Sequence, residues 1–448
     1  MVDRARQHRW WRVRRRLAAA LVLACCIGPI GPKGAVTAGA QAQDRAVEFE
    51  DLGLTGTAEI GARATALRAF AASSDDVTAL VLNSAGLARV KRIHGAAVMA
   101  RSESRVTLDY GNGPTGEDVS DSYLAFAGVA YPLRVLRGSL VPAISVHRAF
   151  DSALDLAYAR DNVTDSRAER FQMQQSGATY AYTLGLGIDL SSTLSAGVSA
   201  FLLNGSIDTH RRYQWQPLVT PPGERTFVLE DVSSDVGGYG AQVGMQLYFH
   251  PRVQIGLCFN APTVVKLHST GVREETTQIE NDVGSFLRQT SEGDTEYILP
   301  YRFNGAIALP LGAWLLAAQV NYADWGEAAV DGRRIYTRST ETVLETVLGF
   351  SAGVEWSPAR LPVRLRAGYE YAPSPLKFLQ TDRIDNDTLA RIGSQSGRSS
   401  IALGAGALLF TRIVVDAAWV QTEGTRETTV LTDDYSATLV SLQAAYWF

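Results

Sequence analysis

Apolar and polar positions alternate with a period of two along most of this chain. In residues 363–371, Val363, Leu365, Ala367, Tyr369 and Tyr371 share one face, and Arg364, Arg366, Gly368 and Glu370 the other. In 314–322 the apolar face is Trp314, Leu316, Ala318, Val320 and Tyr322, opposite Gln319 and Asn321. In 180–189 Tyr180, Tyr182, Leu184, Leu186 and Ile188 alternate with Ala181, Thr183, Gly185, Gly187 and Asp189. Side chains alternate across a strand, so each stretch is a strand with an apolar face and a small or polar one. A barrel with lipid outside and a polar lumen requires that pattern. A soluble sandwich also alternates, but its apolar faces form a core. Aromatics at strand ends (Tyr131, Trp314, Trp325, Trp356, Tyr369, Tyr371, Trp419) suit interfacial girdles and favour the membrane reading. No later stretch has the roughly 18 consecutive apolar residues of a spanning helix.

The pattern predicts fourteen strands, at 93–109, 119–131, 138–158, 176–189, 193–208, 236–249, 252–268, 296–308, 313–325, 343–356, 363–371, 398–409, 412–422 and 435–448. Connections alternate in length. Short turns fall at 189–192, 250–252, 310–312 and 357–362, and long polar loops are expected at 209–235, 269–295, 326–342 and 372–397. Transmembrane barrels have short periplasmic turns and long external loops, and an even strand number puts both ends of the barrel on the periplasmic side. Counting back by twos from Phe448 gives Tyr446, Ala444, Leu442 and Val440 on one face, which resembles the C-terminal targeting strand read by the bacterial barrel-assembly machinery.

The N-terminus reads differently. Residues 4–16 hold seven Arg and no acid; an apolar run at 17–27 and a small-residue stretch at 37–43 follow. This is the order of a secretory signal peptide, expected to be cleaved after Ala42 or nearby. Its eight basic residues and Asp3 leave 34 basic and 45 acidic residues behind, a net charge of −11. That charge excludes bulk binding of nucleic acid or an anionic surface. Cys25, Cys26 and Cys258 make no disulfide framework, and six scattered His make no paired metal motif, so no cofactor or metal is expected. The expected organisation is therefore a leader at 1–43, a non-alternating segment at 44–92 and a transmembrane antiparallel β-barrel at 93–448. Within the middle segment, 61–72 is rich in small residues and helix-compatible. Asp75 or Asp76 is placed to cap a second short helix over 77–82, with Gly86 to stop it.

Gly61-Ala62-Arg63-Ala64, Asp75-Asp76, Ala79 and Asn83-Ser84-Ala85-Gly86-Leu87-Ala88 resemble the N-terminal hatch of the FadL/TodX outer-membrane transporters. Residues 319–325, 364–375, Asp382-Arg383-Ile384-Asp385 and 400–406 extend the resemblance, in order, along the chain. It implies an all-β, fourteen-stranded barrel with a small helical hatch in its lumen, in the outer membrane of a diderm bacterium. It further implies passive uptake of a hydrophobic small molecule, a long-chain fatty acid or aromatic hydrocarbon, with sideways exit into outer-membrane lipid. The chain departs from the family at Asn83-Ser84-Ala85, where Asn-Pro-Ala is usual, and serine does not fix φ as proline does. The alternative function is that of a PorV-type relative, a non-transporting barrel that scaffolds secretion or surface attachment.

Candidate gating and ligand residues are Asn83, Ser84, Ala85 and Phe70 in the hatch. Arg364, Arg366 and Glu370 share a strand face, where they either anchor a carboxylate head group or pair with hatch acids. Asn83 either touches ligand or turns the hatch. Pro142, Phe150 and Asp151 interrupt the strand at 138–158 and mark either a gap in the wall or a plain bulge. Gly349-Phe350-Ser351-Ala352-Gly353 matches a nucleophile elbow, but a strand continues through it, and the chain is not expected to be an enzyme. Glu274, Glu275, Glu280 and Asp282 form an acidic stretch, read as a solvated loop rather than a cation site.

Overall fold

The computed structural model describes residues 52–54, 59–109, 115–133, 135, 138–162, 167–217, 224–249, 252–279, 282–334, 344–375, 394–410, 412–427 and 432–448. The expected leader at 1–43, residues 44–51 and 55–58, Glu280 and Asp382-Arg383-Ile384-Asp385 lie outside the described residues.

The strand segments are β1 (His94–Asp109), β2 (Thr115–Ala130), β3 (Leu140–Asp151), β4 (Leu154–Asn162), β5 (Arg167–Asp189), β6 (Leu194–Pro217), β7 (Glu224–Tyr248), β8 (Gln254–Asn260), β9 (Thr263–Ile279) and β10 (Asp282–Leu299). They continue with β11 (Arg302–Leu311), β12 (Trp314–Asp324), β13 (Ala329–Val330), β14 (Arg333–Arg334), β15 (Thr346–Trp356), β16 (Val363–Ala372), β17 (Ser394–Leu409), β18 (Ile413–Glu427) and β19 (Thr432–Trp447). They form a closed antiparallel barrel of fourteen wall strands, because β3 with β4, β8 with β9 and β10 with β11 are each one wall strand interrupted. Pro262 separates β8 from β9 and Pro300 separates β10 from β11, where a missing N–H breaks the ladder. The first and last strands close the ring from His94↔Trp447 to Asp109↔Thr432.

Outward side chains make an apolar belt that includes Ile144, Leu184, Leu202, Val243, Leu316, Leu348, Ile401 and Leu442, all exposed. Alternate positions point inward and are small or polar, as in β6 and β15. The lipid-facing pattern and the strand number thus follow the period-two reading.

The long loops expected at 209–235 and 269–295 are instead mostly strand. β6 and β7 stay paired out to Trp215↔Thr226, and β9 and β10 out to Ile279↔Asp282. These hairpins have no lipid to face, so they show no apolar side for alternation to reveal. Directly opposed polar pairs tie them instead: a hydrogen bond of His210 with Asp231 at 2.7 Å, and ion pairs of Arg211 with Glu230 at 3.3 Å and Arg288 with Glu274 at 3.5 Å. Glu274 and Glu275 are therefore occupied by arginines of their own hairpin, Glu275 by Arg273.

Inside the ring lies the N-terminal segment, with α1 (Ala62–Leu67), α2 (Ala79–Leu82) and a 3-10 turn over Ser84–Arg89. The first helix is shorter than the helix-compatible stretch, because Arg68 takes a left-handed conformation at φ 58° and ends it. Gly86 does not stop the second helix; it lies inside the 3-10 turn, where a Cβ would meet Ser74 O at 2.4 Å. Asn83 ends α2 in an extended conformation and caps the turn, its side chain accepting from Ala85 N.

The wall makes room for this segment with glycines. A Cβ at Gly353 would lie 2.1 Å from Leu67 O, and one at Gly368 2.5 Å from Ala66 O. Across the lumen, a Cβ at Gly197 would lie 2.2 Å from Ser84 C, and one at Gly256 2.3 Å from Ala71 O. Two glycine pads, on β15–β16 and on β6–β8, thus hold backbone against backbone. Inward glutamines complete the seat: Gln443 accepts from Ala62 N at 2.8 Å, Gln319 from Ala71 N at 3.1 Å and Gln242 from Ser84 N at 3.2 Å, while Gln246 donates to Ser74 O at 3.1 Å.

A lumenal cavity beside an unzipped seam

A cavity of about 330 Å³ lies between the N-terminal segment and the wall. Its apolar part comes from Phe70, Leu80 and Leu82 of the segment, and from Phe150, Phe201 and Trp325 of the barrel. Trp325 was expected in an interfacial girdle. It is 4% exposed instead, because a 3-10 turn directly after β12 swings it inward. The cavity is also lined by a row of amides on adjacent strands, Gln242, Asn260, Asn304, Gln319 and Asn321. Arg302 stands beside them, its side chain without an ion pair or hydrogen bond among the described residues. Sequence reading placed Gln319 and Asn321 inward but missed Arg302 and Asn304, which the same alternation puts on the inward face of β11.

Arginine also anchors the segment. The Arg63 guanidinium donates to Glu355 at 3.0 and 3.2 Å and to Asp75 at 2.7 Å. Glu355 also accepts from Arg366 at 2.7 Å, and Arg366 reaches Asp416 at 2.5 Å. Burial disfavours the Arg63 charge, but Asp75 and Glu355 outweigh it and hold its pKa above the usual arginine value. Arg68 sits between Glu59 at 2.5 Å and Glu370 at 3.3 Å. Asp76 is buried beside Asp75, and both effects push its carboxyl above the usual range.

Of the residues singled out by sequence, Phe70, Phe150 and Glu370 line the cavity. Arg366 is buried and neutralised within the network just described, while Arg364, on the same face, is exposed. Asn83 is fully buried and donates to Ala71 O at 2.8 Å; Ser84 and Ala85 are buried beside it. Ser351, of the apparent elbow, lies within β15 and donates to Arg68 O at 2.9 Å. Tyr446 and Phe448 stack edge to face at 4.6 Å, with Phe448 exposed. Cys258 is a buried free thiol on the inward face.

The wall itself is incomplete on one side. β2 pairs with β1 from end to end, but with β3 only from Phe126↔His147 to Ala130↔Ala143. Beyond that point the chain bulges between Arg148 and Phe150, and β4 pairs with β5. Pro142 lies within the paired part of β3, opposite Leu186, and Asp151 ends the strand. Among the described residues no ladder joins β4 to the part of β2 that precedes Phe126, and the residues at this bulge, His147, Ala149 and Phe150, line the cavity.

No family model matches the chain, and neither does a curated protein. Solved structures do. A FadL homologue from Pseudomonas aeruginosa superposes with a TM-score of 0.59 at 13% identity, covering 87% of this chain and 98% of the other. The toluene transporter TodX of Pseudomonas putida gives 0.59 at 14% identity, over 86% of this chain and 97% of that one. The toluene transporter TbuX of Ralstonia pickettii gives 0.54 at 13%, over 87% and 99%. With its closed ring of fourteen strands, its apolar outer belt and these likenesses, the protein has the fold of the FadL/TodX barrels.

Proposed function

We propose that this protein carries hydrophobic small molecules inward across the outer membrane by diffusion. The carrying observation is the cavity of about 330 Å³ that reaches the bulge of β3, where the β2–β3 ladder stops. A molecule held there has the N-terminal segment on one side and, on another, the bulge at which the β2–β3 ladder ends. Sideways exit into lipid then spares an apolar solute a return to water. In this reading residues 1–43 are the export leader, 44–92 the hatch and 93–448 the barrel. The structural neighbours whose names specify a cargo are toluene and monoaromatic-hydrocarbon channels, which supports an apolar ligand. The polar wall adds a preference. Arg302, whose side chain has no ion-pair partner among the described residues, stands beside Asn304 and Asn321 and suits an amphiphile whose carboxylate accepts from these donors, such as a fatty acid. A mostly apolar cavity that is not packed shut supports transport over the scaffold alternative.

The test is binding and uptake of tritiated palmitate and labelled toluene by the refolded barrel and by cells carrying it. Saturable binding and protein-dependent uptake are expected, both lost when residues 44–92 are deleted from a barrel that still shows heat-modifiable mobility. A folded protein that binds neither probe refutes the reading.

A further inference from the structure

At the point where the β2–β3 ladder stops, one side chain replaces it. Arg148 lies at the bulge and its side chain is 6% exposed. Its Nη1 reaches Asp121 Oδ2 at 2.5 Å, across the seam on the part of β2 that has no ladder partner on that side. Its Nη2 reaches Asp151 Oδ1 at 2.8 Å on its own strand. The guanidinium also lies 4.0 Å from the centroid of the Tyr123 ring, again on β2. The two rims of the seam are thus fastened by one arginine, two carboxylates and an aromatic face.

The same spot touches the other two moving parts of the transport reading. His147, Ala149 and Phe150, flanking Arg148 in sequence, line the cavity. From inside, Ser152 Oγ donates to Leu52 O at 3.0 Å, and a Cβ at Gly53 would lie 2.0 Å from Asp151 O. An occupied cavity and the start of the N-terminal segment therefore both bear on the stretch that carries the arginine.

We propose that Arg148 is the latch of this seam: its ion pair with Asp121 stands in for the missing backbone ladder, and the seam opens when that pair breaks. The proposal rests on the lateral-exit reading above. Arg148 does not need to touch the ligand; it sets how often the wall parts. An ion pair is suited to this, because a side-chain contact is lost and remade without re-registering a sheet.

Asp121→Asn and Arg148→Gln should leave the dissociation constant for tritiated palmitate unchanged and raise its uptake about fivefold, equivalent to about 1 kcal/mol at 1.4 kcal/mol per decade. A second readout needs no transport. Spin labels on cysteines at Ser122 and Ala159, exposed positions on the two rims, report the seam directly. In either latch variant their separation should lengthen by about one strand spacing, ~5 Å. Unchanged distances in folded Asp121→Asn and Arg148→Gln barrels overturn the latch, whatever uptake does. A lengthened distance in a protein that carries no probe keeps the latch and refutes the transport reading instead. Lengthening in both variants with uptake still at the wild-type rate overturns the claim that the latch controls exit.

Discussion

Replacing Glu355 with Ala should release the first helix of the N-terminal segment while leaving the barrel standing. Glu355 is nearly buried and accepts from two guanidiniums, Arg63 at 3.0 Å and Arg366 at 2.7 Å. Removing one member of a buried ion pair costs about 3–5 kcal/mol, because the charge left behind is uncompensated. Here each arginine keeps another carboxylate, Asp75 for Arg63 and Asp416 for Arg366. The low end applies, about 3 kcal/mol. Much of it falls on the contact between α1 and the wall, since Arg63 belongs to the helix. At 1.4 kcal/mol per decade, local opening becomes about 100-fold more frequent. Hydrogen exchange reads this at the amides of Thr65 and Arg68, which bond to Gly61 O and Ala64 O at 2.9 Å each. Their exchange should accelerate by about two decades, with the β17 and β18 amides unmoved. Unchanged protection of Thr65 and Arg68 refutes the argument, and so does equal acceleration throughout the wall, which would make Glu355 a strut of the barrel.

Three further outcomes follow from the geometry. Gly197→Ala puts a Cβ 2.2 Å from Ser84 C and 2.4 Å from Ala85 N, so the 3-10 turn must leave its pad. Proteolysis within 83–89 and single-channel conductance should both rise, whereas Gly237→Ala, with open space around its Cβ, should change neither. Arg302→Met removes the unpaired cation of the cavity; a hydrogen bond to a charged group is worth about 1.5–3 kcal/mol, so palmitate affinity should fall at least about tenfold while toluene binding holds. Asp76 has its pKa raised in the folded protein by burial and by Asp75, so the stability it contributes is present in acid and is lost as pH rises through that raised value. Around it stand Asp75, His94, Arg63 and Thr78. Asp76→Asn should therefore stabilise the segment at neutral pH and flatten this part of its pH dependence, measured by exchange at the Asn83 amide; a steeper dependence in the variant would reverse the assignment.

The barrel was legible in the sequence because lipid and lumen impose opposite chemistry on successive residues, and that contrast survives without any partner being known. It fails where the contrast stops. The hairpins of β6–β7 and β9–β10 meet water on their outer parts, so 209–235 and 269–295 look like loops until the opposed charges are seen in register. Alternation also assigns a face but not a depth. It set Arg364 and Arg366 side by side, yet Arg366 is buried between Glu355 and Asp416 and Arg364 is exposed. Phe150 and Asp151 were visible as a break in pattern. Arg148, two residues earlier, was not, because its partner Asp121 is on another strand and no local spacing links them.

The seat of the N-terminal segment bears on how the molecule is assembled. Its two pads belong to β6–β8 and β15–β16, far apart in sequence, and the ring is completed by the pairing of β1 with β19. A segment gripped backbone to backbone from both sides cannot be threaded into a finished cylinder. It has to be in place while the sheet is still open, with the last strands curling around it. The inward amides of Gln242, Gln319 and Gln443 would otherwise face one another without partners for the backbone groups they now serve. In this sense the segment is the mandrel on which the cylinder is wound, and a chain lacking it should close late or into the wrong girth.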